Sequence, residues 1–167
     1  MQIRPVDLDD APRIVDIYNH YIRTSYATFE VEPIDAAEMA KRIDAVLEGG
    51  YPFFVCEVEG EIAGYAFGHQ YRPRHAYRHS VETSVYIRPG NAGKGIGTAL
   101  YDKLFSELAS GNFHAIIAGV SLPNDASVRL HEKFGMEKIA HFREVGRKFD
   151  RWIDVGYWES IFTNHTK

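Results

Sequence analysis

The sequence predicts one α/β domain, residues 1–167, built on a mixed β-sheet. Three observations point there. The hydrophobic period shifts from 3.6 to 2 after residue 50 and returns to 3.6 after residue 96, so helical and extended segments alternate along the chain. No internal repeat appears, and no linker divides the chain. Its 167 residues, 45% hydrophobic and 25% charged, amount to one core of ordinary globular composition.

Gln2–Val6 reads as a short strand. Asp9 or Asp10 followed by Pro12 is an N-cap with proline in the first turn, and Ala11, Ile14, Val15, Tyr18, Tyr21 and Ile22 form the apolar stripe of the helix behind it. Tyr26–Pro33 breaks that period, and Asp35–Leu47 reads as a second helix closed by Gly49-Gly50. Tyr51–Val58 and Glu61–Gly68, joined across Glu59-Gly60, form a β-hairpin, and Val81–Ile87 is a further strand ended by Pro89-Gly90. Between them lies Gln70–His79, rich in cations and aromatics and without period, which reads as a functional loop. Leu100, Leu104 and Leu108 recur every four residues in a helix over Gly97–Leu108. Ala115–Val120 is a short buried strand. Asn124–Phe134 is a helix capped by Asn124 and stopped by Gly135, and Met136–Arg147 with Trp152–Glu159 is a closing strand pair.

Composition removes several function classes. Lys and Arg number 19 against 23 Asp and Glu, a net charge of −4, so the basic excess that phosphate-backbone binding relies on is missing and nucleic acid is not an expected partner. The one cysteine, Cys56, has no internal disulfide partner and reads as a small core residue in a hairpin strand. With no apolar signal stretch at the N-terminus and no apolar run approaching ~20 residues, the expectation is a soluble cytoplasmic protein with no membrane partner. His75 and His79 are four residues apart, but in a loop with no cysteine or carboxylate cluster nearby they complete no tetrahedral set, so no metal is expected.

The sharpest motif is Val85-Tyr86-Ile87-Arg88-Pro89-Gly90-Asn91-Ala92-Gly93-Lys94-Gly95-Ile96-Gly97-Thr98, a strand passing through a glycine-rich turn into a helix. Glycines let several backbone N–H groups converge, and a helix start adds the positive end of its dipole, so the arrangement suits a phosphate or pyrophosphate. A plain glycine-rich connection is the simpler alternative. A Walker loop fails twice, because Arg88 stands where its first glycine belongs and Gly95 replaces the magnesium-binding hydroxyl. A dinucleotide fingerprint starting at Gly93 ends on Thr98 rather than glycine.

Ala92-Gly93-Lys94-Gly95-Ile96-Gly97 resembles the pyrophosphate-binding turn of the GNAT N-acetyltransferases, written Gln/Arg-x-x-Gly-x-Gly/Ala, with Ala92 where the family usually has Gln or Arg. Tyr18–Ile22, Val81–Ile87, Leu122–Glu132 and Trp152–Trp158 together resemble the phosphinothricin acetyltransferase branch, which includes enzymes acting on methionine sulfone and methionine sulfoximine. The resemblance implies a single GNAT domain with a mixed, mostly antiparallel twisted sheet and about four helices. It implies acetyl-CoA as co-substrate, no metal, and transfer of acetyl to the α-amine of a small anionic amino acid analogue such as L-phosphinothricin.

Carried over residue by residue, the resemblance implies that the backbone of Val85, Tyr86 and Ile87 pairs with the pantetheine arm as an added strand does. Gly93, Lys94, Gly95, Ile96, Gly97 and Thr98 would hold the pyrophosphate, and Asn124 with Ser127 would contact the far end of pantetheine. Glu82 would be the general base that frees the amine, the Val85 N–H would steady the oxyanion, and His131 would protonate the leaving thiolate. Phe29, Tyr71, Arg72 and Arg74 would meet the acceptor, forked arginines suiting its anions. Lys148 lies in Gly146–Phe149, a segment that in the family reaches the neighbouring subunit's site in a homodimer.

Each residue also has a plainer reading. Glu82 is otherwise a solvated glutamate on a strand's polar face, Asn124 a helix cap, His131 a histidine filling a helix interface, and the cations ordinary surface charges. Two other functions use the same features: a noncatalytic acyl-CoA binding module, which needs the glycine turn but no base, and a peptide or protein N-acetyltransferase.

Overall fold

In the computed structural model, which describes residues 1–162, seven strands form one sheet in the order β1-β2-β3-β4-β5-β7-β6. They are β1 (Gln2–Pro5), β2 (Phe53–Val58), β3 (Glu61–Gln70), β4 (Ser80–Ile87), β5 (Ala115–Leu122), β6 (Glu137–Lys148) and β7 (Arg151–Ile161). All neighbours are antiparallel except β4 and β5. Four α-helices accompany the sheet: α1 (Ala11–Thr24), α2 (Ala36–Glu48), α3 (Ile96–Ser110) and α4 (Asp125–Lys133). The mixed sheet and four helices expected from the sequence are those found. No described helix is long and apolar enough to cross a membrane.

Side-chain alternation gives the sheet two apolar faces. Leu100, Leu104 and Leu108 of α3 pack on Ala66, Val81, Ile116 and Ala118, in the core that also holds Cys56. Ile14 and Ile17 of α1 with Ile43 of α2 pack on Val55 and Tyr65 on the opposite face. Helices α1 and α2 pack along β2, β3 and β4, with no packing of that extent on β5 or β7 among the described residues. Strand β6 ends the sheet, and its register jumps between Phe142 and Gly146, where two additional residues bulge out.

Three boundaries differ from the sequence reading in ways that matter. A 3₁₀ turn, Leu8–Asp10, capped by Asp7, precedes α1, whose own N-cap position is Asp10 as expected, with Pro12 in the first turn, though the Asp10 side chain makes no cap hydrogen bond to α1. Strand β3 runs on to Gln70, and the cationic loop after it contains a short 3₁₀ turn at His75–Tyr77. Strand β5 extends to Leu122, which carries it past the end of its pairing with β4.

Asp10 does more than cap. Its side chain is about 2% exposed and takes Arg4 Nη1 at 2.7 Å, Arg4 Nη2 at 2.8 Å, Arg13 Nη2 at 2.6 Å and the Asp7 amide at 2.8 Å, tying β1 to the start of α1. Burial alone would raise the carboxyl, but Arg4, the Asp7 amide and Arg13 outweigh it and hold Asp10 below the ordinary carboxylate range. A depressed folded-state value means fewer protons bound folded than unfolded. The contribution is therefore complete above the unfolded carboxylate range and is lost as pH falls through the folded value. Asp10→Asn should cost about 2 kcal/mol at neutral pH and flatten the acid limb of the stability curve, measured by urea denaturation at stepped pH.

Candidate active site

Strands β4 and β5 pair for only three residues, Ser80 with Ala115, Val81 with Ile116 and Glu82 with Ile117. They then part. The gap is a cleft of about 220 Å³ between Thr83–Ile87 on one wall and Gly119–Ser121, Asn124, Ser127 and His131 on the other, with Tyr21 and Ala27 closing one side.

Backbone parity decides what the β4 wall offers. The Arg88 amide donates to the Ala63 carbonyl of β3, while the Ala115 amide donates to the His79 carbonyl on the β5 side. Hydrogen-bonding direction alternates along an antiparallel strand, so Tyr86 and Ser84 bond toward β3, whereas Ile87, Val85 and Thr83 face the fork. The Tyr21 hydroxyl donates to the Ile87 carbonyl at 2.7 Å, which agrees with that assignment. The N–H and C=O of Val85 and the N–H of Ile87 point into the cleft with no ladder partner there. Such groups seek a hydrogen-bonding ligand.

The glycine turn stands at the head of the cleft. Gly95 caps α3 at φ 78°, a conformation that costs a side-chain-bearing residue, and a Cβ built on it meets nothing within 4 Å. The first turn of α3 therefore opens outward with its amides available. Gly97 lies against Leu130, a cleft residue, at a built-Cβ distance of 3.3 Å, so α3 and α4 approach closely beside the turn. The Ile96 side chain is buried and anchors the turn. Cations stand near: Lys94 Nζ donates to Asn91 Oδ1 at 2.9 Å, and Lys133 Nζ to Thr98 Oγ1 at 3.3 Å.

Asn124 both caps α4, accepting from the Ser127 amide at 3.2 Å, and lines the cleft. His131, 3% exposed, lies one turn beyond Ser127. Its Nδ1 donates to the Ser127 carbonyl and its Nε2 accepts from the Tyr101 hydroxyl at 3.0 Å, while burial lowers its pKa. The ring is thus neutral with both nitrogens engaged. Tyr101 also places its hydroxyl 3.4 Å from Thr83 Oγ1, linking α4 to β4 beneath the cleft.

Glu82 occupies the last paired position of β4, opposite Ile117. A methyl built on Gly119 would lie 3.6 Å from its Oε1 and 3.3 Å from the Tyr157 ring, so the carboxylate reaches over a β5 position without a side chain. The Tyr157 phenol is raised by burial and then by the Glu82 charge, with Arg72 opposing, and the Tyr157 ring and the Glu82 carboxylate meet above Gly119 on one face of the sheet. Arg72 stacks 4.8 Å over Tyr71, and Tyr71 meets Tyr77 edge-on. Arg74 caps the 3₁₀ turn and stands exposed. Phe29 lies over Gly146 rather than on the cleft wall.

Lys148, whose segment the resemblance relates to a neighbouring subunit's site, is held inside its own chain. It is 2% exposed within its own chain, where Nζ donates to the carbonyls of Ser25 and Thr28, both at 2.7 Å, and more weakly to Tyr21 at 3.4 Å. Its three donors are committed. Tyr21, Thr83, Gly119 and Tyr157 were not singled out in the sequence. Tyr21 is indistinguishable there from the apolar stripe of α1, but a glycine inside a buried strand signals close approach, and Gly119 was legible on that ground.

The description "Acetyltransferase (GNAT) domain" matches residues 3–156. A protein of Streptomyces coelicolor named phosphinothricin N-acetyltransferase is 43% identical over 95% of this chain and 95% of its own. The L-methionine sulfoximine/L-methionine sulfone acetyltransferase of Salmonella typhimurium is 34% identical over 99% and 96%. A GNAT superfamily phosphinothricin acetyltransferase from Sinorhizobium meliloti, solved in complex with AcCoA, superposes with a TM-score of 0.95 at 33% identity over 99% and 91%. A forked sheet, a glycine turn opening a helix and these similarities agree: the chain belongs to the GNAT acetyltransferase family.

Proposed function

We propose that this enzyme transfers acetyl from acetyl-CoA to the α-amine of a small anionic amino acid analogue, of the phosphinothricin or methionine sulfoximine class. The observation that carries the proposal is the position of Glu82 at the foot of a fork whose β4 edge offers free backbone groups. The names of the relatives support the acceptor class, and Arg72 near Tyr157 supplies a cation for the acceptor's anion. Pantetheine would lie along Thr83–Ile87 with its pyrophosphate at Gly93–Thr98, and Asn124 and Ser127 would meet its amides from α4.

The chemistry follows from that placement. An α-amine is mostly protonated at neutral pH, and Glu82 accepts its proton directly or through water in the space above Gly119. The amine nitrogen then attacks the thioester carbonyl, forming the C–N bond while the carbonyl electrons move to oxygen. The Val85 N–H stabilises that oxyanion. Collapse breaks the C–S bond, the nitrogen gives up its second proton to solvent, and the thiolate takes one up. His131, neutral and held at both nitrogens, orients the α4 wall in this scheme instead of acting as the acid.

The same reading includes a homodimer. Ile139, Phe142, Val145, Phe149 and Trp152 are each at least half exposed on β6, β7 and the turn between them, an apolar surface at the sheet's end strand that a second copy would cover. Sedimentation should give twice the chain mass, and Trp152→Glu should give one. A monomeric parent protein would remove the dimer.

Glu82→Gln keeps size and hydrogen bonding but removes basicity. Turnover of L-phosphinothricin at neutral pH should fall by roughly 10²-fold to 10⁴-fold with acetyl-CoA affinity unchanged, and part of the deficit should return at high pH, where free amine is abundant. Near-parental turnover would overturn the base, and no turnover by the parent with any amine of a panel would leave an acyl-CoA binding module. At Gly95, Asn tolerates positive φ better than other side chains and would project into the open space before α3. Calorimetry should then show acetyl-CoA binding weakened by about 10-fold or more in a folded Gly95→Asn variant.

A further inference from the structure

We propose that Lys148, with Gly146 beside it, is a positioning residue for the acceptor side of the cleft, fixing the segment Ser25–Phe29 against β6; its effect on acceptor kinetics rests on the function proposed above. A lysine ammonium withdrawn from water is expensive unless every donor is met. Here the donors are met by backbone alone, by two carbonyls of the segment after α1 at 2.7 Å and, more weakly, by the Tyr21 carbonyl of the last turn of α1. The C-terminal end of a helix carries negative partial charge, which suits a cation there. The three carbonyls come from two places the sequence leaves irregular with respect to each other, and one ammonium holds them together.

Gly146 secures the same segment two residues earlier on β6. A Cβ there would sit 2.5 Å from the Phe29 ring, so the ring rests directly on the glycine. The far end is fixed by Glu30, which accepts from Arg42 at 2.6 Å and from the Tyr18 hydroxyl at 2.9 Å. What lies between these anchors is Ala27, a wall of the cleft whose carbonyl lies 3.4 Å from the Tyr86 hydroxyl. Tyr21, whose carbonyl completes the Lys148 set, forms the adjoining wall and donates to Ile87. The hairpin of β6 and β7 therefore sets the position of the wall opposite α4 without touching the glycine turn. Loss of the clamp should act on the acceptor and spare the coenzyme.

Lys148→Met keeps the aliphatic stem and removes all three donors. Hydrogen exchange followed by mass spectrometry, on the protein without added ligand, should show amides of residues 25–30 exchanging at least about 10-fold faster, with those of α3 unchanged. Unchanged protection of residues 25–30 overturns the clamp, whether or not the protein acetylates anything. With L-phosphinothricin as acceptor, KM should rise about 10-fold while the acetyl-CoA Kd stays within about 2-fold. A faster-exchanging variant with parental acceptor KM, or one whose loss falls on acetyl-CoA binding, overturns the positioning role. If Lys148→Met does not fold, Gly146→Ala decides: no positive φ opposes it, and it displaces Phe29 from outside the cleft. It should raise acceptor KM, and Gly146→Ala with Phe29→Ala should be no worse than Phe29→Ala alone. An unchanged KM in Gly146→Ala, or full additivity of the two substitutions, counts against the proposal. If the parent turns over no acceptor, the proposed function fails, and the exchange of residues 25–30 in Gly146→Ala, faster or unchanged, still decides the clamp.

Discussion

A parallel strand pair that lasts three residues and then opens is the constraint on which the rest of the structure depends. Backbone polar groups seldom stay unpaired inside a protein, so a fork in a sheet needs both arms supported from outside. Strand β4 is supported by β3 from Val81 to Ile87, and β5 by β7 through eight pairs, from Ala115–Ile161 to Leu122–Asp154. Each arm keeps one satisfied edge and turns the other to the gap. Tyr21 fills part of the need at Ile87, and Tyr101 stands behind Thr83 and His131. The remaining β4 edge offers unpaired backbone groups that a ligand carrying its own amides could pair with.

The fork also separates two groups of candidate residues. The glycine turn lies beside the cleft residues Leu130 and Ile87, and the cap of α4 lines the cleft, while Glu82 and Tyr157 meet over β5 on the opposite face to α3. Gly119 is where the two meet, since its missing side chain lets the Glu82 carboxylate lie across β5. Under the proposed function, a carboxylate on the acceptor side and a free N–H on the coenzyme side would flank the thioester, the arrangement direct attack needs.

Much of this was legible locally. The four-residue leucine spacing of α3, the cap at Asn124 and the glycine turn after Ile87 are short-range patterns, and each appears where it was read. Glu82 was identified through resemblance, and in the structure it stands at the last β4–β5 pair, beside Gly119. Features that failed to show in the sequence are those made by distant partners. Asp10 looks like a helix cap until Arg4 and the Asp7 amide are brought to it, and Tyr21 looks like core until its hydroxyl meets Ile87. Lys148 is the sharpest case, since its three carbonyl partners lie more than a hundred residues away and no periodicity encodes them. The resemblance related that segment to a neighbouring subunit's site, whereas the contacts found for Lys148 lie within its own chain.

Amide exchange along β4, resolved residue by residue by NMR before and after adding acetyl-CoA, tests the central claim most directly. In the free protein Ser84 and Tyr86, bonded to β3, should be protected, and Val85 and Ile87 should exchange readily. Saturating acetyl-CoA should then protect Val85 and Ile87 together with amides of residues 95–98, leaving Ser84 and Tyr86 as they were. Protection of Val85 and Ile87 already present without ligand, or coenzyme binding that leaves both amides unprotected, would contradict the account of the fork as the coenzyme's strand-like seat.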